Sequence, residues 1–171
     1  AIDDADPKDI QAFTYVLAME HREGENHIIP KPDMYGFWRE FQPDIWPGKY
    51  LGLYAPHPVT KEKRKYTVFR EESGFPLWEY RRIFSKDQFH TAAVSGDVTL
   101  LNWPMNDYFL GNIYDCSDEE KETHLYQAKQ LSLSLLYWLQ TEAPRPDGGS
   151  GYPGLKLRKD IFETEDGLAK Y

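Results

Sequence analysis

With 171 residues, 40% hydrophobic and 28% charged, the chain has the size and composition of one globular domain, and a domain of this length buries roughly 70% of its unfolded surface. Its net charge of −8 argues against a nucleic-acid partner, whose phosphates call for a basic face. A single cysteine, Cys116, excludes an intrachain disulfide and a zinc site built on cysteines, and no run of about 18 apolar residues is present to span a membrane.

Residues 1–9, acidic and containing Pro7, read as an entry linker. The opening Ala-Ile-Asp-Asp has neither an initiator Met nor a signal peptide, which suggests a processed or excised piece. Ile10 to Met19 follows as a nearly unbroken apolar run, and Phe13-Thr14-Tyr15-Val16 favours a strand buried on both faces. His21 to Asn26 is a polar turn. Ile28-Ile29-Pro30-Lys31-Pro32 then leaves it extended, because residues before proline avoid the helical region. Asp33 can cap a short helix in which Met34, Phe37, Trp38 and Phe41 share one face.

Gln42 to Pro58 is a long loop rich in proline and aromatic residues, of the kind that is functional or wraps a partner. The densest basic run, Lys61-Glu62-Lys63-Arg64-Lys65, is short and interrupted, and reads as a solvated turn rather than a binding patch. Tyr66 to Arg70 and Trp78 to Phe84 predict two strands around the turn residues Ser73-Gly74. Val98 to Leu101 predicts a buried strand. Ser117 and Glu120 have the spacing of a capping box that opens a long helix, with Leu125, Ala128, Leu131, Leu135 and Leu139 as its apolar stripe. Leu133, Leu136 and Trp138 widen that stripe until it needs cover on more than one side. Leu155 to Arg158 predicts a last short strand. The expected class is α+β: a mixed, largely antiparallel sheet, one long buried helix, and long aromatic and Pro-rich loops.

Tyr, Phe and Trp number twelve, nine and five, and many stand beside Pro or Gly. They serve either a ring-packed core or a surface that stacks on sugars, flat heterocycles or a partner. Gly149-Ser150-Gly151-Tyr152-Pro153-Gly154 matches G-x-G-x-x-G, but a dinucleotide site needs a strand before it and a helix directly after. Here a proline-rich stretch precedes and a strand-like segment follows, so a flexible turn is expected. Glu163, Glu165 and Asp166 read as a solvated acidic turn. Among the five histidines no pair has helical zinc spacing, and His90, just upstream of the Val98 strand, is a candidate general acid or base.

The best candidate site is the loop after that strand. Asn102, Asn106 and Asp107 offer two amides and a carboxylate for hydroxyls or carbonyls, and Trp103 and Tyr108 offer rings for a flat ligand. The alternative is that Asn102 and Asp107 simply satisfy turn backbone.

Several of these segments together resemble the middle of a family of FAD-dependent oxidoreductases whose bacterial members often carry the label xanthan lyase. The resemblance rests on IQAFTYVLAM followed by IIPKP, on LLNWPMNDY, on the helix through LSLSLLYWLQTE, and on GYPGLKLRKDIFETEDGLAKY. It runs from about residue 9 to 171 and is weakest between residues 41 and 90. It implies a substrate-side or cap region of a larger flavoprotein, with FAD bound chiefly by a separate nucleotide-binding domain and redox chemistry at the flavin N5. Asn102, Asn106 and Asp107 would then face flavin or substrate, with Trp103 and Tyr108 as walls. The long helix would brace the missing domain, and this chain alone is not expected to bind FAD; the substrate's identity stays open, with a sugar or another hydroxylated compound suggested by the aromatic content. A different class is also open: a non-catalytic module that binds carbohydrate or protein.

Overall fold

A computed structural model describes residues 11–89 and 96–169; the expected linker and His90 lie outside them. The architecture is α+β. Its centre is β1, Leu17–His21, whose Leu17, Ala18 and Met19 are fully buried, as an apolar run with little alternation requires. The strand is shorter than the run that predicts it. Phe13 pairs with Tyr108 in an isolated bridge rather than a ladder, and the backbone becomes regular from Leu17.

Around β1 lies an antiparallel four-stranded sheet. β5 (Arg82–Phe84), β6 (Val98–Leu101), β1 and β7 (Leu155–Leu157) stand in that order. Buried Glu20 on β1 meets Arg22, Lys156 and Arg158 at 3.0–3.4 Å. Burial alone would raise its pKa, and the three cations together hold it below the usual glutamate range.

α1 (Tyr35–Glu40) starts after Met34 without a side-chain cap. Asp33, expected to cap it, instead accepts a hydrogen bond from the Tyr126 hydroxyl. α3 (Asp118–Thr141) opens on the expected capping box: Glu120 N–H donates to Ser117 Oγ, and Ser117 N–H donates to Glu120 Oε2. Leu131, Leu135, Leu136 and Leu139 are fully buried, and Leu133 and Tyr137 pack against the same core. The wide stripe is therefore covered by this chain, with no second domain needed to explain it. Buried α3 amides also hold the extended segment before α1. Gln140 accepts from Ile29 N–H and donates to the His27 and Leu155 carbonyls, while Gln130 accepts from Met34 N–H.

The second sheet has three strands, β2 (Tyr54–Pro56), β3 (Lys63–Thr67) and β4 (Phe75–Pro76), with β2–β3 antiparallel and β3–β4 parallel. Two expectations change here. The basic run is no solvated turn; its second half forms β3. The strand expected over 78–84 divides into one helical turn, α2 (Leu77–Tyr80), followed by β5. The reason is burial: Leu77 and Trp78 are adjacent and both inside, which a strand, pointing neighbours to opposite faces, cannot arrange against one core.

The glycine motif is a turn, and a tight one. At Gly151, φ is +74°, and a Cβ there would lie 2.5 Å from the Gln140 carbonyl oxygen; at Gly154 it would lie 2.2 Å from that of Arg22. Gly151 serves the packing of the chain against the end of α3, and Gly154 its packing against the chain leaving β1. The acidic stretch is the expected turn, Gly167 having φ +77° and Asp166 pairing with Lys129.

Candidate functional site: an aromatic cavity beside the loop after β6

β6 delivers the chain into a 3₁₀ turn, Pro104–Asn106. Asn106 ties this turn from inside. Its Oδ1 accepts from Trp103 N–H at 2.8 Å, while its Nδ2 donates to the Leu101 carbonyl at 3.2 Å and to Ser132 Oγ on α3 at 3.1 Å. It is fully buried. This corrects the expectation that Asn106 faces a ligand: its polar atoms are engaged in holding the loop to α3.

Tyr108 is corrected in the same way. Its ring is buried against Trp38 and Phe13. Its hydroxyl lies 2.8 Å from His124 Nδ1 and donates to Gln127 Oε1 at 2.6 Å, so the consistent tautomer has His124 Nδ1–H donating to the phenol oxygen. Burial pushes the phenol up to about 12. Tyr108 faces α3 rather than a cavity.

Asn102, Trp103 and Asp107 point the other way, lining a cavity of about 950 Å³, the size of a small-molecule site. Loop 42–58 contributes Trp46, Tyr50 and His57 to it, β3 contributes Arg64 and Tyr66, and α2 contributes Leu77 and Tyr80. The proline-rich loop flagged as functional is thus one wall. Tyr50 pins that wall to the site: its hydroxyl lies 2.6 Å from the Asp107 carbonyl and 3.0 Å from that of Pro104.

Asp107 is the unusual group. Burial raises its carboxyl above the usual range, while a hydrogen bond from Thr14 Oγ1 at 2.5 Å and the positive charge of Arg81 pull it partly back. A half-buried carboxylate with a perturbed pKa at a cavity wall is a common mark of a working site. Nearby, the Trp46 and Trp103 indole N–H groups are buried donors without an acceptor among the described residues.

Reading the sequence misses Arg64 and Arg81. Arg64 stands two residues before Tyr66, so the two share a face of β3, and that spacing was the available signal. Its guanidinium lies 4.2 Å from the Phe75 ring centre and 5.3 Å from that of Tyr66. Among the described residues no group of side chains is arranged to hold a metal ion, and no helix is long and apolar enough to cross a membrane. Comparison with family models, curated proteins and solved structures returns no match.

Proposed function

We propose that this chain is the substrate-binding part of an FAD-dependent oxidoreductase and that the cavity beside Asn102 and Asp107 receives a small, ring-bearing, hydroxylated organic substrate. The observation that carries this reading is one cavity combining aromatic walls with an amide and a half-buried, pKa-raised carboxylate. The family enters through the sequence resemblance alone.

The described residues do not fit the nucleotide half of FAD. The only G-x-G-x-x-G stretch is packed against α3 and leads into β7 rather than into a helix, so it offers no N-terminal phosphate cradle. Flavin, supplied by another part of the protein, would bring the redox chemistry. This chain's own residues bind and orient. Asn102 hydrogen-bonds a substrate hydroxyl or carbonyl, the rings of Trp46 and Tyr80 exclude water, and Asp107 holds or takes a hydroxyl proton. A carboxyl raised by burial is a stronger base than a solvated one, which suits it to that proton.

In the full-length flavoprotein, Asn102→Ala should slow flavin reduction by substrate by about tenfold or more while leaving thermal stability nearly unchanged. Equal reduction rates would overturn the reading. The second reading, a carbohydrate-binding module without chemistry, draws on the same aromatic cavity with its amide and carboxylate. It predicts that sugar affinity is the same with and without flavin, measured by calorimetry.

A further inference from the structure

The chain carries eight arginines. Arg22, Arg39, Arg70, Arg82, Arg145 and Arg158 each pair with a carboxylate. The remaining two, Arg64 and Arg81, make no ion pair among the described residues, and both line the cavity. Lys61 lines it as well, its ammonium bonded to the neutral Pro58 carbonyl. Among the described residues, Asp107 is the one acidic side chain that lines the cavity with these three cations. In a protein of net charge −8, this is a local reversal of sign around an aromatic-walled cavity, the arrangement that concentrates an anion.

Arg64 is also held ready. It sits on a paired strand opposite Ala55, and its guanidinium is held by cation–π contact beside the rings of Phe75 and Tyr66. A ring contact uses none of the guanidinium N–H donors, whose fork matches two oxygens of one oxyanion. Arg81 rests beside Tyr80, on the same rim, and its charge draws Asp107 toward ionisation.

We infer that the ligand of this cavity carries an oxyanion, a carboxylate or a phosphate ester, on its ring, with Arg64 as the residue that reads it. The inference rests on the proposed ligand-binding role and adds the substrate's charge class. Asn102 and Asp107 meet the hydroxylated end of the ring, and Arg64 meets the anionic end.

The test is direct binding to this chain, followed by tryptophan emission, since Trp46 and Trp103 line the cavity, and by calorimetry. Matched pairs isolate the charge: glucuronate against glucuronamide, 4-hydroxybenzoate against 4-hydroxybenzamide, and glucose 6-phosphate against glucose. At least one acid should bind about tenfold or more tightly than its neutral counterpart, the scale of one charge-assisted hydrogen-bond pair, with the advantage shrinking as salt is added. Which acid wins distinguishes carboxylate from phosphate ester. Arg64→Met keeps a stem over Phe75 and should erase the advantage without changing the unfolding temperature, and Arg64→Lys should restore part of it. If acid and neutral partner bind equally, or if the advantage survives Arg64→Met, the charge inference is overturned and the ring-ligand reading stands. If no member of any pair binds, both fall.

Discussion

The two sides of the loop after β6 are built on opposite rules. On the α3 side, Asn106 and Tyr108 are fully buried, and their polar atoms are met by Leu101, Trp103, Ser132, His124 and Gln127. On the cavity side, Asp107 is half-buried with a raised pKa, and among the described residues the Trp103 indole N–H has no acceptor and Arg64 no ion-pair partner. Adjacent residues of one short turn thus alternate between closing the fold and leaving chemistry open. Satisfied buried groups specify a structure, whereas unsatisfied or perturbed ones lower stability and are kept where something else needs them. The α3 side is scaffold, and the cavity side is the candidate site it holds.

This division is broken most severely at Asn106. Asn106→Ala leaves the Trp103 N–H, the Leu101 carbonyl and the Ser132 hydroxyl without their partner inside the protein. A buried orphan group costs about 1–3 kcal/mol, so a loss near the top of that range, about 3 kcal/mol, is expected in urea unfolding. Ligand affinity measured well below the unfolding midpoint should change little. A stability loss under about 1 kcal/mol would mean that the loop is held by Tyr50 and the β6 backbone instead.

A milder break is Tyr108→Phe. It keeps the ring between Trp38 and Phe13 and removes the hydroxyl shared with His124 and Gln127. About 1 kcal/mol of stability should go, with no effect on the cavity. The imidazole of His124 covers Gly111 so closely that a Cβ there would lie 2.1 Å from it. An NMR shift of the His124 ring on loss of the hydroxyl would report the broken contact, and an unchanged ring would show that Gln127 alone held the phenol.

Much of the scaffold was legible because its signals are local. The capping box of Ser117 and Glu120, the apolar β1 run and the α3 stripe each lie within one segment, and each predicts its element. What was hidden depends on pairing between distant segments. Asn106 and Asp107 are neighbours with similar side chains, and only the placement of Ser132 behind one and of Thr14 beside the other decides which is scaffold and which is site. Arg64 lay within a basic run that reads as solvated, and its role emerges only when β4 brings Phe75 alongside it. The 78–84 segment misled because alternation over seven residues cannot reveal that Leu77 and Trp78 are both needed inside.

The smallest stability effect is expected at Asp107, and its sign is the informative part. Burial raises this carboxyl, against the pull of the Thr14 hydrogen bond and of Arg81. An acid whose folded pKa is raised stabilises the fold while protonated. That contribution is complete below the ordinary aspartate value of about 3.9 and is lost as pH climbs through the raised value. At neutral pH the wild type therefore carries a half-buried charge that Asp107→Asn does not, while the asparagine Oδ1 can still accept from Thr14. Asp107→Asn should match or exceed wild-type stability at pH 7, by less than about 1 kcal/mol, with the difference shrinking as pH falls toward 4. On the proposed flavoenzyme reading, substrate-driven flavin reduction in the full-length protein should fall sharply in the same variant. A neutral side chain that firms the fold and removes the activity is the behaviour of a group retained for use; a variant that unfolds more easily at every pH would return Asp107 to the scaffold.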